Sequence, residues 1–258
     1  RELVHLLASD TDAFARWDAG QRLLRQAVIH RAGGRADTAL EEPLIDAFQR
    51  ILMDPSLSQS SQALLLSLPG LAELEMEVAE PDPPALFTAL RVLERRFGEA
   101  LAEPFQRAWE RCLTGWTAPW PEGWGARQLT ATIWSWRVAA GDPGCIAAAR
   151  AAVDGSSMTL ARAGLRALQC HPLPERQAAM EAFYERWQHK PVVLDSWFAL
   201  EAAAPFPDGL SRVMALLRHP RFDPNAPNAV RAVLGGLAGN APVFHARDRK
   251  STRLNSSH

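Results

Sequence analysis

Four groups of residues in this sequence carry side chains able to do chemistry. Cys170 and His171 place a thiol beside an imidazole, the residue types of a nucleophile–base dyad. Sequence neighbours rarely face each other, and such dyads are assembled from distant segments, so a buried cysteine beside a turn histidine is the simpler reading. Trp116, Trp120 and Trp124 could build an aromatic ligand platform, or could pin a Pro/Gly-rich loop to the body. Glu73, Glu75, Glu77, Glu80 and Asp82 could attract a cation or a basic partner, or form a solvated face. The stretch Asn225-Ala226-Pro227-Asn228-Ala229-Val230-Arg231 is the most informative. Asn228 is placed to cap a helix that carries Arg231 one turn in. The Asn225 and Asn228 amides donate and accept, and the Arg231 guanidinium is a planar fork suited to a carboxylate or a backbone carbonyl. A solvated Arg231 is the plainer alternative.

Several self-contained machines are excluded. No histidine is followed by Glu, so the helical zinc motif H-E-x-x-H is absent. There is no C-x-x-C pair, no phosphate-cradling G-x-x-x-x-G-K and no G-x-S-x-G elbow. Gly235-Gly236-Leu237-Ala238-Gly239 lacks dinucleotide spacing and is expected to follow a helix. The sequence therefore names no catalytic residue and no metal ligand of its own.

Composition narrows the field further. The net charge of -1 excludes a nucleic-acid binder driven by bulk positive charge. No apolar run approaches the ~20 residues that span a bilayer, so no membrane partner is expected. Cys112, Cys145 and Cys170 are an odd set without close pairs, which fits a reducing compartment and a cytoplasmic location. The 258 residues suffice for one or two domains with a real core. The first residue is Arg1, and no signal-peptide pattern follows it, so the chain reads as cut from something longer.

The elements that must position these groups read as helices throughout. Ser9 to Asp12 offer cap oxygens for a helix that runs to about Ala32 and stops at Gly33-Gly34. Pro43 is expected at the first position of the next helix, which Asp54-Pro55 ends. Residues 71–78 alternate apolar and acidic, yet a short helix is preferred, because nothing nearby supplies a partner strand. Asp82-Pro83 opens a helix whose stripe is Leu86, Leu90, Leu93, Phe97 and Leu101. The breaker-rich loop 115–125 is the expected internal boundary.

Beyond that loop the pattern becomes quasi-periodic. Helices are predicted to start near Arg127, Thr159, Asp195 and Asn228. The first three are each followed by a second helix, over Cys145–Val153, Glu175–Trp187 and Gly209–Leu217. Helix pairs repeating at this interval predict an all-α fold: an α-solenoid, a superhelical array of antiparallel helix pairs of armadillo/HEAT type. Since a pair cannot bury its apolar face alone, an unstacked end should leave an exposed apolar patch near residues 230–244 and a tendency to aggregate.

The ordered residues then resemble a known family. Phe14-Ala15-Arg16-Trp17-Asp18-Ala19-Gly20-Gln21 is similar to a stretch near the start of the C-terminal helical domain of bacterial aminopeptidase N. Met158-Thr159, Phe183-Tyr184 with Trp187, Leu194-Asp195 and Trp197-Phe198 resemble that domain further on. The strongest likeness is His219-Pro220, Phe222-Asp223, Pro227-Asn228, Val230-Arg231, Gly235 and Phe244-His245. The resemblance implies a parent zinc metallopeptidase that removes N-terminal residues from peptides. Its zinc and its H-E-x-x-H lie in a preceding catalytic domain absent from this chain, so this chain binds no metal itself. The implied role of the helical domain is to pack on its own N-terminal catalytic domain, close over the active-site cavity and limit access of peptide substrates. The resemblance also implies that Arg231, with Asn228, contacts the C-terminal side of the substrate. Ala229 and Ser196 depart from the basic residues usual in the family.

On this reading residues 1–248 are one helical domain truncated at both ends, inactive alone, and 249–258 are a non-native tail. A stand-alone α-solenoid that binds a peptide or protein on its concave face is the alternative.

Overall fold

The computed structural model describes residues 2–245, and every regular element among them is helical. The chain divides into two compact units, Arg1–Ile146 and Ala147–His258.

The first unit opens with α1 (Glu2–Ser9) and α2 (Ala13–Ala32). The Asp12 carboxylate accepts from the Ala15 amide at 2.8 Å and starts α2 where expected. The helix ends at Gly33, and Gly34 takes φ +78°, a conformation that L side chains resist. Helix α3 (Thr38–Met53) begins ahead of Pro43, which lies inside it. The cap is Asp37, whose side chain accepts from the Leu40 amide, and the proline merely removes one donor from an established helix. Next come α4 (Gln59–Leu65) and α5 (Leu71–Met76). The alternating segment is indeed a helix, with Leu74 its one buried side chain and Glu73 accepting from the Gly70 amide.

Helices α6 (Pro83–Ala100), α7 (Ala102–Leu113) and α8 (Trp124–Ala139) complete the unit. The predicted stripe from Leu86 to Leu101 is buried. Phe97 stacks on Trp136 at 5.9 Å between ring centroids, and Phe48 meets both edge-on. This contact demands Gly98, where a Cβ would lie 2.1 Å from the Trp136 carbonyl oxygen. Two carboxylates are fully buried. Glu41 takes Arg31 at 2.5 Å and Arg96 at 3.0 Å, and Glu94 takes Arg91 at 2.5 Å and the Ser135 hydroxyl at 2.6 Å. Burial raises the Glu94 carboxyl above its usual range, against the lowering pull of Arg91.

The loop 115–125 stays inside this unit, contrary to the expected boundary there. Trp116 donates to the Thr130 hydroxyl at 2.9 Å and meets Trp134 edge-on, while the Arg127 guanidinium donates to the Ala118 carbonyl. These bonds fasten the loop to α8. The division falls instead within α9 (Pro143–Asp154), which carries no breaker at Ile146 and Ala147.

The second unit holds α10 (Met158–Leu168), α11 (Pro174–Trp187), α12 (Pro191–Ala202), α13 (Gly209–Leu216), α14 (Pro227–Ala238) and α15 (Ala241–Phe244). The helix starts follow the predicted repeat within a few residues, and prolines open α11, α12 and α14. Leu194, Phe198, Ala202, Val213, Leu216 and Val233 form the core of α12, α13 and α14. A buried network also sits there: Glu201 accepts from Arg212 at 2.8 Å and lies 3.4 Å from Arg176.

Candidate functional site

The segment leading into α14 is wound tightly by its own side chains. His219 accepts through Nδ1 from the Arg221 amide at 3.1 Å, and Asp223 accepts from the Asn225 amide at 2.8 Å. The His219 imidazole is enclosed by the rings of Tyr184, Trp197 and Phe198, at 5.3 to 5.6 Å between centroids. Burial holds it below its ordinary pKa, and the positive charge of Arg221 adds to the effect. Phe222 packs edge-on against Phe198. His219 and Phe222 are thus anchors that aim the chain into α14.

Helix α14 then has two faces. Ala229 and Val233 are buried toward α12. Gly236, within the helix and not after it as expected, brings α14 close to α12. A Cβ there would meet the Ala202 Cβ at 2.8 Å and the Ala199 carbonyl oxygen at 2.9 Å. The opposite face carries Asn228, Arg231 and Leu234, all exposed. Asn228 is not the cap. Pro227 already occupies the first helical position and Ala226 precedes it as the cap, so Asn228 falls in the first turn. Its Oδ1 accepts instead from the Arg231 guanidinium, at 3.4 Å. The fold brings these two expected site residues together, with the guanidinium turned to solvent.

The other chemistry-bearing groups resolve into structure. Glu77 pairs with Arg25, Glu73 holds Gly70 and Asp82 caps α6, so these three members of the acidic run are spent on local contacts. Trp116 points inward while Trp120 is 74% exposed, so the three tryptophans share no face. Cys170 and His171 lie in the turn after α10, Cys170 only partly buried. Burial pushes the Cys112 thiol up to about 11 and the Cys145 thiol to about 12, so both pack as protonated side chains. Among the described residues no group of three or more His, Cys, Asp or Glu side chains could hold a metal ion. No helix of the described residues is long and apolar enough to cross a membrane. Within 230–244, where an apolar patch is expected, Leu234 and Phe244 are exposed. Phe206, Leu210, Leu237 and Val243 line, beside Phe244, a groove of about 540 Å³.

One feature escaped the sequence reading. Arg162 and Arg166 border a second groove formed by α10, α11, α12 and α14. The spacing of two arginines one turn apart without an acidic neighbour was the available signal.

Paired helices repeating in this order define an α-solenoid of armadillo type. The chain belongs to the family described as "Domain of unknown function (DUF3458_C) ARM repeats", whose model matches residues 1–255. It is similar to aminopeptidase N of Caulobacter vibrioides, 35% identical over 251 residues, covering 93% of this chain and 28% of that protein. Aminopeptidase N of Escherichia coli is 28% identical over 254 residues, 96% of this chain and 29% of that protein. The crystal structure of Legionella pneumophila aminopeptidase A in complex with aspartic acid shares the fold. Its TM-score is 0.85 at 24% identity, over 98% of this chain and 31% of that one. The chain thus spans less than a third of the length of these relatives.

Proposed function

We propose that this chain is the C-terminal helical domain, residues 1–248, of a zinc-dependent aminopeptidase N that removes N-terminal residues from peptides. The observation that carries the reading is the 35% identity to one aminopeptidase N across 93% of the chain. In this reading catalysis and zinc belong to the protein's own catalytic domain, outside these residues. Its work is to cover the active-site cavity and admit short peptides and peptide ends rather than folded proteins.

The exposed face of α14 supports a substrate role for Arg231 and Asn228. The Arg231 guanidinium keeps most of its donors open, and the Asn228 side chain restricts its rotamers at a small cost in binding entropy. Such a fork suits the carbonyl or carboxylate at the C-terminal side of a bound peptide. The buried, protonated thiols Cys112 and Cys145 fit a cytoplasmic protein. Assigning 249–258 as a non-native tail falls outside the described residues.

The test is the complete open reading frame. An in-frame H-E-x-x-H upstream of Arg1, in a protein with chelator-sensitive aminopeptidase activity, supports the reading. A start codon close to Arg1 would favour a stand-alone scaffold.

A further inference from the structure

Arg162 and Arg166 stand one turn apart on α10, both exposed. Neither guanidinium has a hydrogen-bond or ion-pair partner among the described residues. Many other arginines are answered: Arg31 and Arg96 meet Glu41, Arg137 meets Asp142, and Arg212 meets Glu201 and Asp208. Like charges four residues apart on a helix repel each other. An unanswered pair leaves room for a counter-charge from outside the chain.

What lies between the two arginines gives that counter-charge a shape. They border a groove of about 300 Å³ whose floor is apolar, formed by Leu165, Phe183, Ala199 and Leu200. Leu165 and Phe183 are each 1% exposed, so the floor is part of the packed core. The far wall is Gly236, held in place by its close approach to α12. The Ser196 hydroxyl adds a neutral donor at the lining. The volume sits at the lower end of the ~300–1,000 Å³ of ligand pockets and suits a short aliphatic group.

We infer that this groove binds a small carboxylate that carries an aliphatic group. Arg162 and Arg166 hold the anion, and the aliphatic group lies on Ala199 and Leu200, the partly exposed apolar residues above the Leu165 and Phe183 core. A guanidinium fork matches a carboxylate in geometry and charge, and the apolar floor favours an anion that carries an apolar group. Two sources share this chemistry: the last residue of a peptide and a free aliphatic acid. The groove belongs to this chain alone, so the inference does not depend on the peptidase reading.

The experiment is a titration of the 258-residue chain followed by backbone amide NMR, with N-acetyl-leucine, hexanoate and the neutral N-acetyl-leucinamide as probes. Both carboxylates should give saturable shifts at α10 and α12, and the amide should bind at least about fivefold more weakly. Arg162→Gln with Arg166→Gln should weaken carboxylate binding by about fivefold or more. Both sites are exposed, so an unchanged melting curve verifies the fold of the double variant. Arg218→Gln removes an exposed arginine outside the groove and should leave binding unchanged. Tighter binding of N-acetyl-leucine assigns the groove to peptide ends, and tighter binding of hexanoate assigns it to free acids. Equal binding of the amide, an unaffected double variant, an equal loss in Arg218→Gln, or no saturable shift overturns the inference.

Discussion

The Arg231 guanidinium rests against the Asn228 side chain, 3.4 Å away, on the one face of α14 that the core does not claim. In the complete polypeptide, Arg231→Gln should raise KM for tripeptides and longer peptides about fivefold to tenfold, somewhat less than a buried charged hydrogen bond is worth because Arg231 is exposed. Hydrolysis of an alanyl chromogenic substrate, too short to reach Arg231, should stay within about twofold. Asn228→Ala should show the same selectivity with a smaller loss, because it frees Arg231 without removing it. Steady-state kinetics on the two substrate classes checks this.

Gly235 and Gly236 are neighbours with opposite demands. A Cβ at Gly235 meets nothing nearer than 3.9 Å, while one at Gly236 runs into α12. Gly235→Ala should therefore stabilise by ~0.5–1 kcal/mol, through helix propensity and a stiffer unfolded chain. Gly236→Ala should destabilise by ~1–3 kcal/mol. Urea denaturation of the two variants reads the difference in sign.

Glu41 is fully buried between Arg31 and Arg96. Its removal leaves those guanidinium groups facing a void. Glu41→Ala should cost ~2–4 kcal/mol, toward the low end because both arginines keep some solvent. Gly98→Ala, which drives a Cβ into the Trp136 carbonyl, should destabilise the same unit by ~3 kcal/mol. Calorimetry should place both losses in the first unit.

His219 gives the second unit a defined pH response. Its folded pKa is depressed below 6.5 by burial and then by Arg221. The unfolded chain therefore takes up the proton more readily, and stability rises with pH across this interval. The contribution is complete above about pH 6.5 and is lost as pH falls through the folded pKa. His219→Asn keeps an acceptor for the Arg221 amide but cannot titrate. Melting curves between pH 5 and 7 should show a smaller pH dependence in this variant than in the parent chain.

Much of this architecture was legible from local signals. Asp12 and Asp82 mark helix starts through cap oxygens, which need no tertiary information, whereas Pro191 opens α12 ahead of the start expected near Asp195. Where two signals competed, the reading slipped. Asp37 outranked Pro43 at α3, and Pro227 displaced Asn228 at α14. The loop at 115–125 has every breaker of a boundary, yet Trp116 and Arg127 tie it down through partners visible only in three dimensions. The division inside α9 leaves no mark in the sequence. The candidate site was legible only in part. Asn228 and Arg231 share a face by spacing, but the groove at Arg162 and Arg166 is built from four helices and takes its floor from residues that look like ordinary core.

In the proposed function, this chain covers an aminopeptidase active site that it does not itself contain. The most direct measurement compares hydrolysis of an alanyl chromogenic substrate, with added zinc, by this chain and by the complete polypeptide. The expected result is no turnover by the chain and chelator-sensitive turnover by the complete protein. Turnover by the chain alone, or none by the complete polypeptide, would contradict it.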